Sequence, residues 1–181
     1  MNTIFQRIKT VDNLEPRSNL FQSWFPFMRW TPTSPQKLQE AEENIIEYVE
    51  TQSEGFYVNI GEVNGQECNI WTRKFSHRND SKGFPLVMVH GMGAGLAMFA
   101  MNFDTLAQAR DVYAVDLPGF GRSSRVNFSS EPGQVEEQYV ECFEKWREKT
   151  GLTKMSLLGH SFGGYLTALY TSTLIMYTMQ S

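Results

Sequence analysis

The stretch from Lys154 to Leu166 reads KMSLLGHSFGGYL and has the pattern G-x-S-x-G at its centre. The apolar run from Met155 to Leu158 predicts a short strand, and a helical stretch follows the glycines. A sharp turn from strand to helix would project the Ser161 hydroxyl from the strand end, and small flanking residues avoid a clash there. We therefore predict that Ser161 is a nucleophile; the alternative is a serine that only caps the helix.

A second glycine-rich turn supports this prediction. HGMG at residues 90–93 follows another apolar run, Leu86 to Val89. Backbone N–H groups that converge on one point stabilise the negative charge that develops on an attacked carbonyl. In this design the residue after the nucleophile, Phe162, donates one N–H group, and the glycine-rich turn donates the other, here from Met92. We expect His90 to bond to neighbouring loop backbone, in preference to a catalytic role.

The sequence DLPGFGRSS occupies residues 116–124 and ends the next short strand. Asp116 at this position would suit a catalytic acid. However, triads built on such a serine run Ser, then Asp or Glu, then His along the chain, and Asp116 precedes Ser161. We therefore predict that Asp116 orders its loop, that the glycines permit a tight turn, and that Arg122 anchors the turn in preference to binding substrate.

Strands and helices alternate in the second half of the chain. Helices are predicted from Leu96 to Ala109 and from Gln134 to Lys149, each between short apolar strands, which indicates a parallel sheet with helices on both faces. Earlier, Phe56 to Val63 and Cys68 to Phe75 are typical of strands, and Asn64-Gly65 between them predicts a tight hairpin turn. The fold class is therefore α/β, with an antiparallel hairpin followed by parallel strands.

Composition divides the chain into four segments. Residues 1–35 form an irregular aromatic arm, residues 36–52 a helix, residues 53–170 a partial α/β domain, and residues 171–181 a divergent tail. Ser34 as N-cap and Pro35 at the first helical position open the helix. The helix should pack one face on the body, through Leu38, Ala41, Ile45, Tyr48 and Val49.

The arm concentrates aromatic side chains in a short segment broken by Pro26. Core packing beneath the first helix is the ordinary explanation for such a cluster. The alternative is lipid contact, because Pro26 prevents a continuous helix and tryptophan is favoured at membrane interfaces. The candidate lipid-binding residues are Trp24, Phe25, Phe27 and Trp30.

Composition also excludes several classes of function. A net charge of -4 provides no broad basic surface, so nucleic acid is not an expected partner. Cys68 and Cys142 lie far apart without metal-ligand spacing, and the N-terminus lacks the apolar region of a signal peptide, so we expect an intracellular, reducing compartment. No stretch approaches the roughly 18–20 apolar residues that span a bilayer, so no transmembrane segment is expected.

The motifs HGMGAG, DLPGFGRSS and GHSFGGYL, in this order and spacing, resemble the α/β-hydrolase superfamily. The arm followed by RWTPTS, the segment IWTRKFS and the run GLTKMSLLGHSFGG resemble its α/β-hydrolase-domain four/five subfamily, from Leu20 to Tyr170. One branch of that subfamily keeps a serine nucleophile and hydrolyses phospholipid acyl esters. The other has asparagine there and acts as a lipase coactivator on lipid droplets. Ser161 groups this chain with the first branch.

The resemblance implies a lipid carboxylic-ester hydrolase or acyltransferase-like protein of phospholipid and triacylglycerol homeostasis, including phosphatidic acid biosynthesis. It implies an acyl lipid substrate and no metal or organic cofactor. A lipid-droplet surface and a lipase or droplet-coat protein are candidate partners, and the expected location is the cytoplasm, a lipid droplet or the mitochondrial surface. The alternative is a noncatalytic lipid-droplet or lipase-binding module.

The sequence departs from the family pattern after Thr171, where TSTLIMYTMQS lacks the next strand, the lid, the triad acid and the late His-x-x-x-x-Asp motif. None of His77, His90 and His160 has an aspartate five residues later. We therefore expect the N-terminal half of a hydrolase fold, from a shortened isoform or truncated gene model, with Ser161 on a strand at an exposed sheet edge. Loss of the base leaves only a roughly 10³–10⁴-fold rate enhancement, so we expect little activity.

Overall fold

The computed structural model describes residues 33–76 and 83–180, and the side chains of these up to residue 175. The aromatic arm with Trp24, Phe25, Phe27 and Trp30 lies outside the described residues, as does His77. The segment Ser34–Ser181 is one compact unit. Among the helices of the described ranges, none is long and apolar enough to cross a membrane.

The regular elements follow one another in the order expected for an α/β chain. They are α1 (Pro35–Ile46), β1 (Ser53–Val63), β2 (Gln66–Phe75), β3 (Leu86–Val89), a 3₁₀ helix (Leu96–Phe99), α2 (Ala100–Leu106), β4 (Val112–Val115), α3 (Pro132–Lys149), β5 (Ser156–Gly159) and α4 (Phe162–Gln180). The helix predicted from 96 to 109 is therefore shorter and begins as a 3₁₀ turn. Helix α4 continues through residue 171, so the divergence in sequence there coincides with no break in the backbone.

The strands form one mixed sheet in the order β1-β2-β4-β3-β5. Strand β2 pairs antiparallel with both β1 and β4, whereas β3 pairs parallel with β4 and β5. The predicted α/β class, with a hairpin followed by parallel strands, is confirmed. Within the described residues β5 pairs with β3 alone, so the strand that leads to Ser161 lies at the sheet edge, as predicted.

The hairpin forms where the sequence predicts it. Val63 pairs with Gln66, and the two residues between them, Asn64 and Gly65, have φ angles of 50° and 74°. Positive φ at both positions matches the turn whose twist suits an antiparallel hairpin, and asparagine and glycine tolerate it best. Both strands begin earlier than predicted, at Ser53 and Gln66.

Helices cover both faces of the sheet, as strand β3 shows. Val87 and Val89 point into a core that includes Phe143 and Trp146 of α3. Leu86 and Met88 point into a second core on the opposite face. Helices α1 and α2 contribute Ile46 and Phe103 to that second core. Successive side chains of a strand point to opposite faces, so all four residues of β3 are buried.

The predicted apolar face of α1 is wrong except at Val49, which lies beyond the end of the helix and packs, partly buried, against the second core. Leu38, Ile45 and Tyr48 are exposed, and the buried residues of the helix are Glu42 and Ile46. A carboxylate can occupy this buried position because hydrogen-bond donors from β2 and from the loop after β4 meet it there, as described below. The Ser34 cap is confirmed, since its hydroxyl accepts from Lys37 N at 3.2 Å.

Candidate active site

Ser161 lies at the turn between β5 and α4. Strand β5 ends at Gly159, and α4 begins at Phe162. The Ser161 backbone has a φ of 52°, in the left-handed region that non-glycine residues rarely occupy, and the residue is exposed. This conformation is the sharp, strained turn that projects a serine hydroxyl from the end of a sheet.

The glycines on both sides of Ser161 allow two backbones to come very close. A Cβ atom added at Gly159 would lie 2.4 Å from Gly163 O, and one added at Gly163 would lie 2.2 Å from Val89 O. The first turn of α4 therefore lies directly against the ends of β5 and β3. The G-x-S-x-G spacing thus meets a steric requirement of the turn.

The left-handed conformation of Ser161 predicts an unusual order of stability. We expect Ser161→Gly to be more stable than Ser161→Ala by about 1 kcal/mol, because only the alanine variant keeps a Cβ in this conformation. At exposed Ala168, inside α4, glycine should instead lower the free energy of unfolding by about 1 kcal/mol. Urea unfolding of these variants measures both differences. A glycine variant at 161 less stable than the alanine variant would contradict the strained turn.

The loop after β3 lies beside Ser161. A Cβ atom added at Gly91 would lie 3.2 Å from Ser161 Cβ. Met92 follows in a turn that Ala94 N closes by donating to Gly91 O at 3.2 Å. The N–H groups of Met92 and Phe162 have no acceptor among the described residues. The structure therefore leaves both predicted donors unbonded at the end of the sheet that carries the serine.

His90 serves the loop backbone, as predicted. Its ring is fully buried; Nδ1 lies 2.7 Å from Gly91 O, and Nε2 accepts from Leu117 N at 3.0 Å. A ring that donates at Nδ1 and accepts at Nε2 is neutral. Burial lowers the pKa of His90, which the nearby Gly91 carbonyl partly opposes. With both nitrogens engaged, His90 is not free to accept a proton from Ser161.

Asp116 ties two loops together, which confirms its predicted role. Its carboxylate is almost fully buried; Oδ1 accepts from Leu96 N at 2.6 Å, and Oδ2 accepts from Arg122 N at 2.7 Å. Burial raises the pKa of Asp116, and the N–H groups of Arg122 and Leu96 lower it. A Cβ at Gly121, which has a φ of 49°, would lie 2.0 Å from Asp116 Oδ2, so glycine is required there.

The hydroxyl of Ser161 has no hydrogen-bond partner in the part of the chain that the structure describes. Of the three histidines in the sequence, His90 bonds to backbone, His160 is exposed beside Gly91, and His77 lies outside the described ranges. The described site therefore consists of a serine on a strained turn and two unbonded N–H groups.

Comparison with known proteins agrees with this geometry. A family model described as the alpha/beta hydrolase fold matches residues 85–174, which include β3, the Asp116 loop and the Ser161 turn. The chain belongs to the α/β-hydrolase family. Solved structures with a similar fold include the Bacillus subtilis carboxylesterase CesB, with a TM-score of 0.57 at 21% identity over 75% of this chain and 44% of that one. Naproxen esterase from Bacillus subtilis has a TM-score of 0.59 at 16% identity, over 78% and 46%.

Two curated relatives of the chain are an acyltransferase and a lipase by name. It is 49% identical to the human 1-acylglycerol-3-phosphate O-acyltransferase ABHD5 over 139 residues, which are 77% of this chain and 38% of that protein. It is 38% identical to the human (lyso)-N-acylphosphatidylethanolamine lipase over 162 residues, 88% of this chain and 45% of the relative. The chain thus spans less than half the length of either relative.

The structure also contains a buried ionic cluster that the sequence did not predict. Glu42 Oε1 of α1 accepts from Trp71 Nε1 at 2.9 Å and from Arg122 Nη1 at 3.0 Å. The Arg122 guanidinium lies over the Trp71 ring, 3.6 Å from its centroid. Arg122 is the predicted anchor of its turn, but its partners come from α1 and β2. In the sequence, the signal for this cluster is Glu42 itself, an acidic residue one helical turn before the buried Ile46.

Proposed function

We propose that the chain carries the nucleophile and the oxyanion donors of a serine-dependent lipid carboxylic-ester hydrolase or acyltransferase-like site. The observation that supports this most directly is the left-handed backbone of Ser161, with a φ of 52°, next to the unbonded Phe162 N–H. A serine that only caps a helix has a backbone in the extended region. The strained turn is typical of a serine that must reach a substrate.

In the proposed reaction Ser161 Oγ attacks the acyl carbon of an ester. The N–H groups of Met92 and Phe162 donate to the oxygen that becomes negative, and the start of α4 adds the positive end of a helix dipole. The alcohol portion leaves with a proton. Water then releases the acyl group as an acid, or a second alcohol accepts it. This chemistry needs a base for the Ser161 proton, which the engaged His90 does not supply.

An acyl lipid is the substrate class that we infer. Both curated relatives are named for acyl lipids, as a 1-acylglycerol-3-phosphate acyltransferase and an N-acylphosphatidylethanolamine lipase. Aromatic rings also surround the oxyanion residue Phe162. Its ring lies 6.5 Å from that of Phe120, 5.6 Å from Tyr139 and 6.4 Å from Tyr165. Half-buried aromatic surface beside a nucleophile suits an apolar acyl chain.

We also propose where in the cell the protein contacts such a lipid. A lipid-droplet surface is the proposed site of contact, with Trp24, Phe25, Phe27 and Trp30 as lipid-binding residues in a cytoplasmic protein. A lipase or droplet-coat protein is a further proposed partner. A noncatalytic binding module remains the second candidate, because no described histidine bonds to the Ser161 hydroxyl.

A fluorophosphonate probe tests the nucleophile. We expect covalent labelling of Ser161, in which the oxygen–phosphorus bond forms and fluoride leaves. The rate should be far below that of a complete triad, because the described histidines do not bond to Ser161. Intact-protein mass spectrometry over a time course measures the adduct, and peptide mapping locates it.

Two variants separate catalysis from chance reactivity. Ser161→Ala should abolish labelling, whereas Ser172→Ala, at an exposed serine of the same helix, should label at the rate of the unmodified chain. A folded chain that shows no adduct, or an adduct that persists in Ser161→Ala, would contradict the nucleophile and favour the noncatalytic binding module. Far-UV circular dichroism establishes that each sample is folded.

A further inference from the structure

A continuous series of bonds leads from helix α1 to the loop beside Ser161. We propose that Glu42 is a positioning residue for the site: through Arg122 and Asp116 it holds in place the loop that presents Met92 N–H. This rests on the proposed function, since it concerns the oxyanion donor of that site. Glu42 does not touch Ser161, so its effect is transmitted by the residues between them.

Glu42 is the first member of this series. Glu42 is 6% exposed, and its Oε1 accepts from Trp71 Nε1 at 2.9 Å and from Arg122 Nη1 at 3.0 Å. The same oxygen lies 3.5 Å from Arg73 Nη1. A buried carboxylate with three donors holds each of them in a narrow range of positions, because breaking one bond leaves charge unsatisfied.

Arg122 links Glu42 to Asp116. Its side chain is 8% exposed, stacks on the Trp71 ring and bonds to the Glu42 carboxylate. Its backbone N–H donates to Asp116 Oδ2 at 2.7 Å. A rigid guanidinium held on an aromatic face by a carboxylate leaves little freedom to the backbone that carries it. The turn that follows Asp116 is therefore attached to α1 at this point.

Asp116 also bonds to the loop after β3, which links that loop to Arg122. The carboxylate oxygen not used by Arg122 accepts from Leu96 N at 2.6 Å. The other end of that loop, Gly91, lies against Ser161, where a Cβ would be 3.2 Å from Ser161 Cβ. Met92 lies between these two fixed points. Its N–H direction therefore depends on where Asp116 holds the loop.

Electrostatics agrees with a shared role of the two carboxylates. Burial raises the pKa of Glu42, and the nearby Asp116 charge raises it further, while Trp71 and Arg122 lower it. The Arg122 charge also lowers the pKa of Asp116. The Arg122 guanidinium therefore acts on the pKa values of both buried carboxylates, so a change at Glu42 alters the electrostatic surroundings of Arg122 and Asp116.

Glu42→Gln tests the proposal, with Glu47→Gln as the control. Glutamine keeps the shape of Glu42 but removes its charge, whereas Glu47 is an exposed carboxylate at the end of the same helix. We expect Glu42→Gln to slow fluorophosphonate labelling of Ser161 about 10-fold, because small displacements of catalytic groups have large effects on rate. Amide hydrogen exchange should accelerate at residues 91–96, and Glu47→Gln should change neither quantity.

A second variant and the hydrogen-exchange measurement distinguish failure of the positioning role from failure of the proposed function. If Glu42→Gln does not fold, Arg122→Lys keeps the cation but loses the planar group that stacks on Trp71, and the same two changes are expected. Normal labelling and normal exchange in a folded variant overturn the positioning role. If the unmodified chain is not labelled, the proposed function fails. Exchange at 91–96 then decides alone whether Glu42 holds the loop.

Discussion

Gly163→Ala is expected to destabilise the domain by more than about 3 kcal/mol, or to prevent its folding. The added Cβ would lie 2.2 Å from Val89 O and 2.5 Å from His90 O. Both neighbours are backbone atoms at the end of β3, which pairs with a strand on each side, so neither can rotate away as a side chain would. Forced contacts in a packed core cost about 1–3 kcal/mol and more where the surroundings are rigid. Total stability of a small domain is only about 5–15 kcal/mol.

Gly133→Ala is the matched control for this substitution. Gly133 lies in the first turn of α3, and a Cβ added there would meet nothing within 4 Å. This variant should be neutral or slightly more stable, because alanine favours a helix over glycine. Far-UV circular dichroism and urea titration of both variants measure the difference. Equal midpoints would show that α4 does not lie against β3 as described.

Asp116→Ala is expected to lower the free energy of unfolding by about 3–5 kcal/mol. The substitution removes the acceptor for the buried N–H group of Leu96 and for the half-buried N–H group of Arg122. An unsatisfied buried donor costs about 1–3 kcal/mol. The Arg122 guanidinium also loses one nearby carboxylate and keeps those of Glu42 and Glu43. The Asp116 carboxylate bonds to both loops beside Ser161. The rate of fluorophosphonate labelling should therefore also fall in Asp116→Ala, even in the fraction that remains folded.

Asp111→Asn provides the comparison for Asp116. Asp111 Oδ2 pairs with Lys74 Nζ at 3.2 Å, and both side chains are 25% exposed. Partly exposed ion pairs contribute roughly 0–1 kcal/mol, so this variant should lose little stability and label normally. Urea unfolding of both variants at the same pH measures the difference in their stabilities. An Asp116→Ala variant as stable as Asp111→Asn would mean that water replaces the carboxylate in both loops.

Local features of the chain could be predicted from the sequence because they depend on residues close to one another. Asn64-Gly65 is recognisable because two positive φ angles favour these residue types. Gly159 is recognisable because a Cβ there would meet Gly163 O within the same five-residue motif. The alternation of apolar strands with helices likewise indicated the α/β class and the helices on both faces of the sheet.

The α1 prediction failed for a reason that no local pattern contains. The helix was expected to bury Leu38, Ile45 and Tyr48, but it buries Glu42 and Ile46. Helical periodicity assumes that the buried face is apolar. Here donors 29 and 80 residues away, Trp71 and Arg122, make a carboxylate acceptable in the interior. The burial of a polar residue such as Glu42 can therefore be predicted only when its hydrogen-bond donors are known.

The sequence by itself indicated the family through the resemblance of its motifs, and it predicted the sharp turn at Ser161, the two candidate N–H donors and the loop roles of His90 and Asp116, because these depend on motif spacing and order along the chain. Only the tertiary structure decided that Arg122 reaches Glu42, that α1 is thereby bonded to the loops beside Ser161, and that β4 lies between β2 and β3. These facts depend on contacts between distant segments, where packing and hydrogen-bond satisfaction select one arrangement among many that the same local patterns allow.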